Sequence, residues 1–144
     1  MTAGSTLSRR KLVLTLPALA AISAYGSEKN VLPSKTFLFK DLKTNSHPGY
    51  TGRELFDGNT HEGFHLSVHE SKLEAGSMPH PPHQHKHEEM FMMREGTLQV
   101  TISGKSSQVG PGDVVYIASN EVHGVKNVGK TPAQYFVIEI GTNS

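Results

Sequence analysis

Nine histidines occupy the 144-residue chain, and four of them, His80, His83, His85 and His87, fall within eight positions. The chain has no cysteine, so a bound metal ion must rely on imidazole, carboxylate and water, a donor set suited to hard or borderline divalent ions. In an extended strand, residues two apart share a face at about 6.6 Å, so His83 and His85 can converge on one ion. Glu89 has the same parity, and a strand starting near Met90 brings its carboxylate to the pair. His87 shares that parity and competes for the same place. A site built on strands gathers ligands across the sheet, which makes His123, the one histidine in the C-terminal third, the expected fourth ligand. Three imidazoles and a carboxylate suit one divalent ion, Fe, Mn, Ni or Zn, and leave coordination positions open for a small molecule.

The elements that must position these residues read as strands. From Thr36 onward short apolar runs alternate with turn signals, and no apolar stripe holds helical spacing for more than two turns. The expected strands are Thr36–Lys40, Arg53–Phe56, Phe64–Leu73, Met90–Arg94, Leu98–Ile102, Ser107–Val109, Val114–Ile117, Gly124–Asn127 and Gln134–Ile140. Turns are expected at Asp57-Gly58-Asn59, Glu95-Gly96, Ser103-Gly104-Lys105, Gly110-Pro111-Gly112-Asp113 and Asn127-Val128-Gly129-Lys130. Such spacing predicts an all-β sandwich or barrel. Period two assigns Phe64/Leu66/Val68, Leu98/Val100/Ile102 and Phe136/Ile138/Ile140 to core faces. Phe91 and Met93 share the parity of Glu89 and are expected, with Tyr116 and Phe136, to wall the site with apolar surface. His65 and His69 are expected at the surface or rim, and His47, His61 and His80 in solvated loops.

Arg9-Arg10-Lys11 precedes an apolar run from Leu12 to Ala24 that is interrupted by Pro17. The run is too short for a membrane helix, which needs about 20 residues, and it follows no 3.6-residue period. It is read as a signal peptide over 1–24, similar to a twin-arginine signal in the order Ser8-Arg9-Arg10-Lys11-Leu12-Val13-Leu14. The expected organisation is a signal peptide at 1–24, a linker at 25–35 and one domain at 36–142, exported to the periplasm or secreted. A formal net charge of +1 with 19% charged residues offers no basic field for nucleic acid, and no stable membrane anchor is expected.

Two segments resemble the motifs of the cupin superfamily. Its first motif runs Gly, five residues, HxH, three or four residues, Glu, six residues, Gly. This chain has Gly76, six residues, His83-Gln84-His85, three residues, Glu89, six residues and Gly96. Its second motif runs Gly, five residues, PxG, two residues, His, three residues, Asn. Here Gly112 is followed by five residues, then Ala118-Ser119-Asn120 in place of PxG, two residues, His123, three residues and Asn127. The departures fall on turn residues, and Asn120 can take the left-handed conformation that Gly would supply.

The resemblance covers about 73–141. It implies a single double-stranded β-helix, a jelly-roll-like barrel, with the metal in its mouth. It further implies a metal-dependent enzyme of dioxygenase, isomerase or lyase type acting on a small oxygen-rich molecule. The competing expectation is a non-catalytic periplasmic module that captures a metal or a sugar-like ligand. Exposed edge strands in such barrels make a homodimer an expected partner arrangement.

Overall fold

The computed structural model describes Met1 and residues 30–142. Residues 2–24 of the expected signal peptide and 25–29 of the expected linker lie outside the described part. The strands are β1 (Thr44–His47), β2 (Tyr50–Asn59), β3 (Phe64–Leu73), β4 (Glu88–Glu95), β5 (Leu98–Ile102), β6 (Lys105–Val109), β7 (Val114–Ile117), β8 (His123–Asn127) and β9 (Ala133–Thr142). They form a six-stranded sheet in the order β1-β2-β3-β9-β4-β7 and a three-stranded sheet in the order β6-β5-β8. All named pairings are antiparallel, and the result is the expected all-β jelly-roll-like sandwich.

The core lies between the sheets. Leu73, Leu98, Ile117 and Ala133 are fully buried there, with Phe91, Met93, Val100, Val125, Tyr135 and Val137 around them. Leu98–Ile102 and Val114–Ile117 have the expected bounds because left-handed residues bracket them: Gly96, Ser103, Gly104 and Gly112 all have positive φ. Gly96 is also irreplaceable by space, since a Cβ there would sit 2.6 Å from both the Ala133 Cα and the Pro132 carbonyl oxygen.

Three expectations need correction. Thr36–Lys40 is not a strand; a single 3-10 turn, Phe39–Asp41, takes up its last two residues. Its alternating Phe37 and Phe39 pack instead on the outside of the large sheet, Phe37 against Phe56 at 5.0 Å and Phe39 beneath the guanidinium of Arg53 at 4.5 Å. Asp57-Gly58-Asn59 is not a turn either, because β2 runs through it. Asn30 and Leu32 cross at this point, where a Cβ on Gly58 would come within 2.9 Å of them. The described end of the expected linker is therefore bonded to the sheet, with Leu32 N donating to Asn59 O at 2.8 Å.

The third correction is of face. In β3 and β9 the inward residues are Ser67, Ser71 and Leu73, and Tyr135 and Val137, all buried. Phe64/Leu66/Val68 and Phe136/Ile138/Ile140 therefore face outward. The register sets Phe56, Val68, Ile138, Met90 and Tyr116 in one row across that outer face. An outer face this apolar makes alternation uninformative about which side is core. On the same face Glu70 is fully buried, 3.1 Å from Arg53 Nη1 and 3.7 Å from Arg94 Nη1.

Candidate metal centre

The loop before β4 folds back over the open end of the sandwich and pairs with the start of β8. His83 N donates to His123 O at 2.9 Å and His123 N to His83 O at 2.8 Å, which sets these two histidines opposite one another. Gly124 makes room for the passing loop, since a Cβ there would lie 3.1 Å from Pro82. Asn120 adopts φ +63° in the turn before β8, and its N–H donates to His85 O at 2.8 Å. The left-handed turn thus sets His85 against His123 through the backbone.

The side chains converge accordingly. One ring nitrogen from each of His83, His85 and His123 lies within 4.8 Å of the others, so the three histidines can hold an ion. Glu89, buried on β4, brings Oε2 to 2.8 Å from His123 Nε2 and 3.3 Å from His85 Nε2. The tautomers follow from the opposite edges of the rings. His85 Nδ1 donates to His87 O at 2.9 Å, and His123 Nδ1 donates to Glu121 O at 2.8 Å. In the neutral rings this leaves the lone pair on Nε2, the atom each ring turns toward Glu89. His123 Nε2, although 2.8 Å from the carboxylate, has no partner in hydrogen-bond geometry, and His83 Nδ1 is likewise buried without one. Lone pairs and a carboxylate oxygen gathered at such distances form a donor set that can hold a cation. Burial first, and then the neighbouring imidazoles of His80, His123, His85 and His87, hold the His83 pKa down to about 4. His83 is therefore neutral at pH 7, as metal ligation demands.

His87 stacks on His85, centroids 3.6 Å apart, but its Nε2 is directed 3.5 Å from Glu139 Oε1 and is not in the three-histidine cluster. The centre opens into a cavity of about 290 Å³. Of the expected apolar wall, only Phe91 lines it. Met93 is buried in the core and does not reach the cavity. Tyr116 is exposed on the outer face, its phenol pushed up by a hydrogen bond with Glu88. Phe136 also faces outward, because β9 presents Tyr135, Val137 and Glu139 inward.

The cavity includes polar residues that the sequence reading assigned elsewhere or passed over. His69, expected at the surface or rim, lines it, and desolvation lowers its pKa against the opposing pull of Glu139, Glu89 and Glu54. Tyr50 and Ser71 meet there, with Ser71 Oγ donating to Tyr50 Oη at 3.4 Å. Burial pushes the Tyr135 phenol up, so it remains an O–H donor. Glu139 sits directly across from Glu89 in the β4–β9 register. The signal for His69, Ser71, Tyr135 and Glu139 was the alternate parity of β3 and β9, whereas Tyr50 comes from the start of β2.

Residues 69–139 match the family model described as Cupin domain. A curated relative, an uncharacterized protein of Methanocaldococcus jannaschii, is 29% identical over 80 residues, 56% of this chain and 64% of its own length. Among solved structures, an RmlC-like cupin from Shewanella frigidimarina superposes with a TM-score of 0.63 at 18% identity, over 77% of this chain and 95% of that one. KdgF from a Halomonas species gives 0.64 at 18% identity, over 77% and 97%. An oxalate decarboxylase variant from Bacillus subtilis gives 0.61 at 24% identity, over 75% and 29%. The fold is that of the cupins, and the domain match together with these neighbours supports the cupin superfamily.

Proposed function

We propose that this chain is a mononuclear metal-binding cupin in which His83, His85, Glu89 and His123 hold one divalent ion, Fe, Mn, Ni or Zn. In this reading it works as a metal-dependent enzyme on a small oxygen-rich molecule chelated at the positions left open. The observation that carries the reading is the meeting of the His85 and His123 Nε2 lone pairs with the buried Glu89 carboxylate, the opposite ring edges being committed to backbone carbonyls. The ion would supply Lewis-acid polarisation of a bound oxygen, and electron-transfer chemistry as well if it is iron.

The protein groups have separate tasks. Backbone carbonyls of His87 and Glu121 fix the imidazole tautomers and orientations, the arrangement that commonly tunes metal-binding histidines. Phe91, Val137 and Val125 give the cavity its apolar wall and limit bulk water. Tyr50, Ser71 and Tyr135 offer hydroxyls that can orient a bound oxygen-rich molecule. The solved neighbours include a sugar phosphate isomerase, a polyketide cyclase and an oxalate decarboxylase, and we place the reaction among isomerase, lyase and dioxygenase types.

The reading includes export of the chain through its twin-arginine-like N-terminus to the periplasm or beyond. Replacing Arg9 and Arg10 by Lys is expected to retain the protein in the cytoplasm, and unchanged export would remove the twin-arginine route. For the activity, the chain loaded separately with Fe, Mn, Ni and Zn is expected to turn over at least one member of a panel of diols, enols and hydroxy acids under air. That turnover is expected to vanish with the metal in Glu89→Ala. Full loading with no turnover across the panel would instead favour a non-catalytic binding module.

A further inference from the structure

Glu139 and Glu89 are directly opposite each other on β9 and β4, and both line the same cavity. Like charges in that relation destabilise a sheet. A fold keeps such a pair where function uses it. The side chain paired with Glu139 is the imidazole of His87, whose Nε2 lies 3.5 Å from Oε1. Among the described residues no Lys or Arg lines the cavity, whose remaining polar surface is imidazole and hydroxyl. A divalent ion with neutral imidazoles and Glu89 carries a net charge of about +1, and Glu139 cancels it. The centre is then neutral before any ligand arrives.

We infer that the cavity selects neutral, hydroxyl-bearing chelators such as vicinal diols and catechols over dianionic carboxylates and phosphates, with Glu139 as the residue that sets this preference. The inference rests on the metal reading above and narrows its substrate class. Chemistry supports it as well as charge. A carboxylate on the cavity wall accepts hydrogen bonds, and a diol that chelates with loss of no more than one proton keeps an O–H to donate to it, whereas oxalate or a phosphate dianion brings acceptors only. With no guanidinium or ammonium to face it, a second anionic end meets Glu139 in a partly desolvated space.

The test uses the full chain loaded with Mn(II) and two probes of similar bite, catechol and oxalate, titrated calorimetrically at pH 7. Each affinity is referred to that probe's affinity for free Mn(II) in the same buffer. The protein is expected to weaken oxalate and strengthen catechol relative to the free ion. Glu139→Gln, which keeps the shape and removes the charge, is expected to tighten oxalate by ~10-fold or more while Mn(II) stoichiometry stays unchanged. Oxalate binding to the wild-type centre at its free-ion strength would overturn the inference and leave the metal reading intact, as would an unchanged oxalate affinity in Glu139→Gln. Loss of Mn(II) from Glu139→Gln would make Glu139 a ligand and overturn it too. A wild-type chain that takes up no divalent ion would defeat the metal reading itself.

Discussion

Replacing Asn127 by alanine removes one side chain that ties together three parts of the chain. Asn127 is fully buried, and its amide nitrogen donates to Leu73 O at 2.9 Å and to Thr131 O at 2.8 Å. Its amide oxygen accepts from Gly129 N at 2.9 Å. These bonds join the end of β8 to the end of β3 and to the loop that leads into β9. Asn127→Ala leaves two carbonyls and one N–H without those partners, at about 1 kcal/mol or somewhat more each, so the expected loss is about 3–4 kcal/mol. For a domain of this size that lowers Tm by roughly 15 °C. Urea unfolding followed by circular dichroism measures it, with the slope of the transition expected to stay unchanged. Asn127→Asp separates hydrogen bonding from volume. It preserves the shape but sets carboxylate oxygen against the carbonyls of Leu73 and Thr131, so it is expected to destabilise at least as much as alanine. A loss below about 1 kcal/mol for Asn127→Ala, or a neutral Asn127→Asp, would refute the reasoning.

Two further outcomes follow from buried or desolvated charge. Arg53→Ala leaves Glu70 buried with only the longer contact to Arg94, and it is expected to cost about 2–3 kcal/mol in urea unfolding, discounted because Arg53 is itself part-exposed; Glu70→Leu, which removes the buried charge, is expected to cost less. A larger loss in Glu70→Leu would show that the ion pair itself, and not the avoided orphan charge, stabilises the outer face. The folded-state pKa values of His83 and His69 lie below the ordinary 6.5, so between pH 6.5 and about 4 the unfolded chain binds more protons than the folded one. Stability of the metal-free protein is therefore expected to be full above pH 6.5 and to decline as pH falls toward 4. His83→Gln is expected to flatten that decline, and an equally steep profile in the variant would exclude His83 as a cause.

The candidate metal centre was legible because its chemistry is carried by spacing. An HxH pair, a glutamate of the same parity and a distant histidine are visible without knowing which face of any strand is inward. The left-handed turn at Asn120 was legible for a similar reason, since few side chains tolerate that conformation. The cavity wall was not. Its position depends on the inward parity of β3 and β9, and both faces of the large sheet are apolar: Val68, Ile138 and Met90 outside mirror Tyr135, Val137 and Phe91 inside. Choosing the more hydrophobic parity therefore placed Phe136 at the site and left Glu139 and Ser71 out of it. Strand β1 was missed because its residues, Thr44 to His47, are all exposed and carry no apolar pattern to read.

The central claim is that His123, from β8, joins the two histidines of the loop before β4 and Glu89 in holding one ion. Its most direct test is the metal content of the purified chain and of two variants, His123→Ala and His87→Ala, after equilibration with excess divalent ion and removal of the unbound metal. The expected result is one ion per chain in the wild type, retained in His87→Ala and lost in His123→Ala, with circular dichroism confirming that both variants fold. Full occupancy in His123→Ala together with loss in His87→Ala would contradict the assignment.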